Sequence, residues 1–134
     1  MRARALVTGS TQALAPLHVL LVEDNFIIAL DLAGLVREAG AEPVGPVASV
    51  RDALAALENG GVEAAILDIN LGEENALALA DELEARGVPF AFATGYSPDD
   101  VLPPERATAP VLAKPYSAAE VEAVLAQLKA RARG

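Results

Sequence analysis

The sequence predicts an α/β domain: a doubly wound, five-stranded parallel sheet in the order 2-1-3-4-5, with helices on both faces. Three observations predict it. Short apolar runs alternate with stretches whose apolar residues recur at helical spacing. The short runs are almost continuously apolar, as parallel strands covered on both faces must be. Right-handed crossovers then leave few ways to order five such units, and 2-1-3-4-5 is the leading one.

The first strand, "HVLLV", centres on Val19 to Val22 and stops at the adjacent acids Glu23 and Asp24. After Asn25, residues Ile28, Leu32, Leu35, Val36 and Ala39 recur at helical spacing, and Gly40 ends the run as a C-cap glycine would. "EPVGPVA" is a weaker strand, placed at a sheet edge by Pro43 and Pro46. Ser49 and Asp52 start the second helix, Leu54 and Leu57 give its apolar side, and Asn59-Gly60-Gly61 closes it. "EAAIL" leads straight into Asp68. Glu73 to Arg86 reads as helix, with Leu77, Ala80 and Leu83 on one face and Gly87 as the stop. "VPFAFAT" is the fourth strand and "APVLAKPY" the fifth. Between them, Ser97 to Asp100 can start a helix that Pro103-Pro104 would cut, so a short or irregular fourth helix is expected. Ser117 and Glu120 form a capping box for the last helix, whose core face is Val121, Val124, Leu125 and Leu128. Its late Lys129, Arg131 and Arg133 suit the negative end of the helix dipole.

A chain of 134 residues is enough for one such domain and too short for two ordinary ones. The expected limits are an N-terminal extension over 1–16, the domain over 17–131 and a tail over 132–134. Without Cys there is no disulfide and no thiolate zinc site, and one His cannot supply an imidazole-rich metal site. A net charge of −9 argues against a nucleic-acid partner and points to proteins, cations or small molecules. No apolar run approaches membrane-spanning length, and "MRARALVTGSTQALAP" lacks the apolar middle of a secretory signal. The expectation is a cytoplasmic protein without membrane contact, a monomer or at most a weak dimer.

In a doubly wound sheet the site lies beyond the carboxyl ends of the strands. Strand one ends in Glu23-Asp24, strand three in Asp68, strand four in Thr94-Gly95 and strand five in Lys114. The acids of strands one and three would face one crevice, where their mutual repulsion calls for raised pKa values or a hard cation. Mg2+ fits best, because it prefers oxygen ligands, keeps several waters and uses few protein carboxylates. Asn70 can add its backbone carbonyl to Glu23, Asp24 and Asp68 as a further oxygen. Acids, metal, hydroxyl and ammonium together describe phosphoryl transfer. Asp68 would be the nucleophile, forming a labile acyl phosphate, while Thr94 and Lys114 bind the phosphoryl oxygens. Singly, each of these residues reads as an ordinary solvated strand end. Four strands ending in compatible chemistry in the right order do not.

With "LLVEDN", "AILDINL", "FATG" and "LAKPY" in order and at matching spacing, the chain resembles the bacterial response-regulator receiver domains of two-component signalling, from about Leu17 to Leu128. The resemblance implies a flavodoxin-like receiver fold and a phospho-acceptor at Asp68 charged by a histidine kinase with Mg2+. It also implies a switch hydroxyl at Thr94 and Lys114 before a cis Pro115. Such a protein catalyses its own phosphorylation and autodephosphorylation without acting on a separate metabolite. In receivers the positions of Asn70 and Tyr96 flank the path of attacking water and tune the lifetime of the phosphorylated form. "PFAFATGY" further resembles the single-domain receivers called the FAT GUY group, which are associated with general-stress phosphorelays and HWE/HisKA2 kinases.

One departure stands out: most receivers carry a switch Tyr or Phe three residues before the lysine, and here that position is Val111. Tyr96 or the loop after strand four would have to substitute. Phe26, Ile27 and Leu30 lie off the core stripe of the first helix and suit docking of a kinase helix pair, the plain alternative being scattered surface apolars. A chain complete at Gly134 would act by protein contact, as a phosphate shuttle, a sink or a phosphorylation-gated binder, with another phosphorelay protein as a further expected partner. The rival class is a phosphorylation-independent pseudo-receiver interaction module. A small-molecule-binding flavodoxin-like domain lacks its phosphate loop here. A haloacid-dehalogenase-type phosphatase would need a second Asp where Asn70 stands.

Overall fold

The computed structural model describes residues 16–71, 74–95 and 109–133. In chain order they form β1 (His18–Val22), α1 (Phe26–Glu38), β2 (Glu42–Val47), α2 (Val50–Glu58), β3 (Ala64–Asp68), β4 (Asn70–Leu71), β5 (Glu74–Asn75), α3 (Ala76–Ala85), β6 (Phe90–Thr94), β7 (Val111–Ala113) and α4 (Ala118–Arg133). Five parallel strands stand in the order β2-β1-β3-β6-β7. This is the expected 2-1-3-4-5 arrangement of the flavodoxin-like receiver fold, with β6 and β7 as fourth and fifth strands. The pair β4-β5 is a separate two-residue antiparallel ladder. The expected fourth helix, residues 1–15 of the N-terminal extension, and Tyr96 lie outside the described residues.

The uniformly apolar strands serve two cores, because successive side chains point to opposite faces. Val19, Leu21, Ala64, Ile66, Ala91, Ala93 and Leu112 pack under α1 and α4, against Leu32, Val36, Val121, Leu125 and Leu128. Their neighbours Leu20, Val22, Ala65, Leu67, Phe90 and Phe92 pack against α2 and α3, meeting Ala53, Leu57, Leu79, Ala80 and Leu83. Phe90 and Phe92, two apart in β6, stack edge to face at 5.5 Å on that second side.

Two helices differ from the sequence expectation, one in its buried face and one in its start. In α1 the buried residues are Ala29, Leu32, Ala33 and Val36, while Ile28 and Leu35 are half-buried. The small alanines let the helix lie close to the sheet, so the buried stripe is offset from the one its large residues mark. Helix α3 begins at Ala76, not near Glu73, because Glu74 and Asn75 pair with Leu71 and Asn70 as β5. Helix α4 buries the four residues expected of it.

The edge strand β2 carries an irregularity: Leu20 pairs with Val44 but Val22 with Val47. Gly45 sits at this point with φ +92, and a Cβ there would lie 2.7 Å from the Val47 nitrogen. At the end of the sheet away from the acids, Glu63 joins both termini of the fold. It accepts from the His18 N–H at 2.9 Å, and both its oxygens meet Arg133 Nη2 at 3.0 Å. Arg133 also donates to the Pro16 carbonyl at 3.3 Å.

Candidate functional site

The backbone ladder carries the strand ends to one place. The N–H of Glu23 donates to Val47, that of Ile69 to Ala93 and that of Lys114 to Thr94, each at 2.9 Å. These bonds extend the sheet pairing past the last regular residues, so the polar residues arrive level with one another. Glu23, Asp24, Asn25, Ile28, Asp68, Asn70, Gly95 and Lys114 line an open cleft of about 510 Å3 at the carboxyl ends of the strands. Thr94 is buried at the end of β6 beside it.

Glu23, Asp24 and Asp68 each offer a carboxylate oxygen, and the three lie within 4.8 Å of one another. Glu23 and Asp68 are both only 3% exposed, whereas Asp24 faces solvent. The two buried acids are held alike. One oxygen of each accepts from the backbone N–H two residues on: Asn25 to Glu23 Oε2 at 3.1 Å and Asn70 to Asp68 Oδ1 at 3.0 Å. The other oxygen faces Lys114, whose Nζ lies 2.9 Å from Glu23 Oε1 and 3.2 Å from Asp68 Oδ2. The contact with Glu23 is an ion pair without the alignment of a hydrogen bond.

These surroundings act on the charged groups in opposite directions. Burial raises the Glu23 pKa above its ordinary value, Lys114 and the Asn25 N–H oppose the rise, and Asp68 adds to it. Burial alone would lower the Lys114 pKa, but Glu23 and Asp68 more than offset it, and the ammonium is held more firmly than usual. Lys114 is thus the internal counter-ion of a cluster that is one positive charge short of balance for two buried acids and more so with Asp24. An all-oxygen donor set with one solvent-facing member suits a hard cation that retains water.

Asn25 has a second task that sequence reasoning missed: its side chain caps α1, accepting from the Ile28 N–H at 3.1 Å. An Asn directly before a helical apolar pattern was the available signal. Half-buried Ile28 also lines the cleft, and the sequence had placed it only in the core stripe. Val111 is half-buried in β7, paired in register with Phe92. Phe26, Ile27 and Leu30 are 73%, 77% and 51% exposed, adjoining Asn25 and Ile28 at the cleft rim. Among the described residues no helix is long and apolar enough to cross a membrane.

The comparison with known proteins gives a consistent set of relatives, although no family model matches the chain. SdrG from Pseudomonas melonis Fr1, solved in its BeF3-activated conformation, is 43% identical, with 86% of this chain and 98% of that one covered and a TM-score of 0.74. The receiver domain of the response regulator PhyR from Erythrobacter litoralis is 26% identical, with 87% and 92% covered and a TM-score of 0.76. The transcriptional regulatory protein PdtaR of Mycobacterium tuberculosis is 27% identical over 117 residues, 85% of this chain. The chain spans 57% of that relative's length.

Proposed function

The chain belongs to the response-regulator receiver-domain family, and on that premise we propose that it accepts a phosphoryl group on Asp68 from a histidine kinase in the presence of Mg2+. The observation that carries this reading is the cluster itself: three carboxylates within 4.8 Å, two of them bridged by one lysine, at the carboxyl ends of adjacent strands.

Glu23, Asp24, Asp68 and the backbone carbonyl of Asn70 would hold the Mg2+. The ion supplies charge neutralisation, letting a carboxylate approach an anionic phosphoryl group. Asp68 attacks phosphorus through a carboxylate oxygen. The P–N bond to the kinase imidazole breaks, an acyl phosphate forms, and the imidazole leaves with the electron pair and takes up a proton. Lys114 turns from Glu23 and Asp68 to a phosphoryl oxygen, and the Thr94 hydroxyl donates to another. Water attack at phosphorus returns the aspartate, with Asn70 and Tyr96 setting its rate.

The partner is a sensor kinase whose helix pair seats on Phe26, Ile27 and Leu30. The "PFAFATGY" stretch supports placing the protein with FAT GUY receivers, HWE/HisKA2-type kinases and a general-stress phosphorelay, as shuttle, sink or gated binder. The test is phosphotransfer from acetyl phosphate and from a panel of kinases of the same genome, with Asp68→Asn as control. Labelling of wild type that vanishes in Asp68→Asn supports the assignment. Retained labelling in the variant would refute Asp68 as the acceptor, whereas no labelling of wild type and no saturable Mg2+ response around Asp24 and Asp68 by NMR would identify a pseudo-receiver.

A further inference from the structure

Among the described residues, two buried side-chain polar atoms have no hydrogen-bond partner: Glu23 Oε1 and the hydroxyl of Tyr116. One is an acceptor and the other a donor, and buried polar groups are rarely left unmet without a reason. Lys114 holds Glu23 Oε1 by charge alone and stands two residues before Tyr116. Tyr116 packs, partly buried, against the core cluster to which α1 and α4 both contribute. Burial, and then the negative charges of Glu23, Asp68 and Asp31, raise the pKa of the phenol. The hydroxyl therefore keeps its proton at ordinary pH and lies within the field of these acids.

We propose that Tyr116 is a positioning residue of the cleft: when Lys114 turns to the phosphoryl group, the Tyr116 hydroxyl replaces it as the donor to Glu23 Oε1. The proposal rests on the phosphoryl-transfer reading of Asp68. It gives the segment Lys114–Tyr116 the task of carrying the state of the site to α1 and α4, a task the aliphatic Val111 has no ring to perform. In the free protein the unmet hydroxyl is a cost; in the loaded protein it is satisfied. Free and loaded forms therefore respond to its removal with opposite sign, which a purely packing role would not produce.

The experiment compares wild type with Tyr116→Phe, using Mg2+ alone and Mg2+ with beryllofluoride as the phosphoryl mimic. Removing the hydroxyl should raise the Tm of the free protein by roughly 2–4 °C. It should weaken beryllofluoride binding about tenfold, the worth of a hydrogen bond to a charged acceptor, and leave the affinity for Mg2+ alone unchanged. In wild type labelled with 13Cζ-tyrosine, one of the two tyrosine signals, assigned by its loss in Tyr116→Phe, should shift on loading. Equal beryllofluoride affinity in the two proteins, or a Tyr116 signal that does not move at saturation, overturns the proposal. A wild type that binds no beryllofluoride overturns the phosphoryl reading itself, and the proposal with it.

Discussion

Replacing Lys114 by Met removes the internal counter-ion of the cleft while keeping most of its apolar stem. The ammonium stands 2.9 Å from Glu23 and 3.2 Å from Asp68. At an intermediate effective dielectric each contact supplies about 5–6 kcal/mol of Coulomb attraction before desolvation is subtracted. The carboxylates it separates repel by roughly 3 kcal/mol or more per ionised pair on the same scale. Breaking a buried pair typically costs about 3–5 kcal/mol; with the cleft open and the lysine 18% exposed, roughly 2–4 kcal/mol is expected here. Urea unfolding at neutral pH in EDTA should read that loss. Mg2+ should restore most of it, and should bind on the order of tenfold tighter than to wild type, since no ammonium competes for the same oxygens. The pH dependence gives a second check. The Glu23 pKa is raised above its ordinary 4.5, chiefly by burial. Its ionisation therefore costs stability as pH rises from 4.5 through the raised value, and protonation restores stability as pH falls. Without Lys114 that rise is larger, so the deficit of the variant should shrink on acidification. A variant as stable as wild type in EDTA, or one that binds Mg2+ more weakly, would refute this account of the lysine.

Gly45→Ala should destabilise by about 1–3 kcal/mol in urea, because φ is +92 and the added Cβ meets the Val47 nitrogen at 2.7 Å; an unchanged midpoint would mean the β2 irregularity relaxes freely. Glu63→Gln should cost about 0.5–1 kcal/mol at neutral pH, a solvent-screened value. The His18 N–H, against the effect of burial, and then Arg133 lower the Glu63 pKa below its ordinary 4.5. Its contribution is therefore complete above 4.5 and is lost as pH falls through the lowered value, so the two proteins should converge in acid; a constant gap would refute the linkage. Ile27→Glu and Leu30→Glu should slow phosphotransfer from a cognate kinase about tenfold or more while leaving acetyl phosphate labelling intact. Unchanged kinase rates would make these residues scattered surface apolars.

The order of the sheet was legible because four of the five strands are short apolar runs that end in chemistry, and because five β-α units permit few right-handed windings. The core face of helix α4 was legible to the residue, since it is built of large aliphatics and the helix start is a side-chain cap: Ser117 accepts from the Glu120 N–H at 3.1 Å. Helix α1 was less so. Alanine carries little weight in an apolar pattern, yet Ala29 and Ala33 are what the sheet accepts at close range, and Ile28 is thereby turned toward the cleft. The start of α3 was misplaced for a related reason. Glu74 and Asn75 have no local preference strong enough to resist pairing with Leu71 and Asn70, and Leu71 is drawn into the core beside α3.

At the site, the composition was legible and the wiring was not. That Glu23, Asp24, Asp68 and Lys114 converge follows from strand ends alone. That Lys114 is nearer to Glu23 than to Asp68 does not, since it depends on which oxygens the Asn25 and Asn70 N–H groups have already taken. This wiring bears on the departure at Val111. A valine paired with Phe92 in the sheet has neither a ring to turn nor a polar atom to exchange. Among the described residues, two buried atoms do have unspent hydrogen-bonding capacity, Glu23 Oε1 and the Tyr116 hydroxyl. A response in this chain is therefore expected to run from Lys114 toward α1 and α4. Helix α1 is also the one that presents Phe26, Ile27 and Leu30 to solvent, so loading of the site and release of a partner from that rim would act on the same helix.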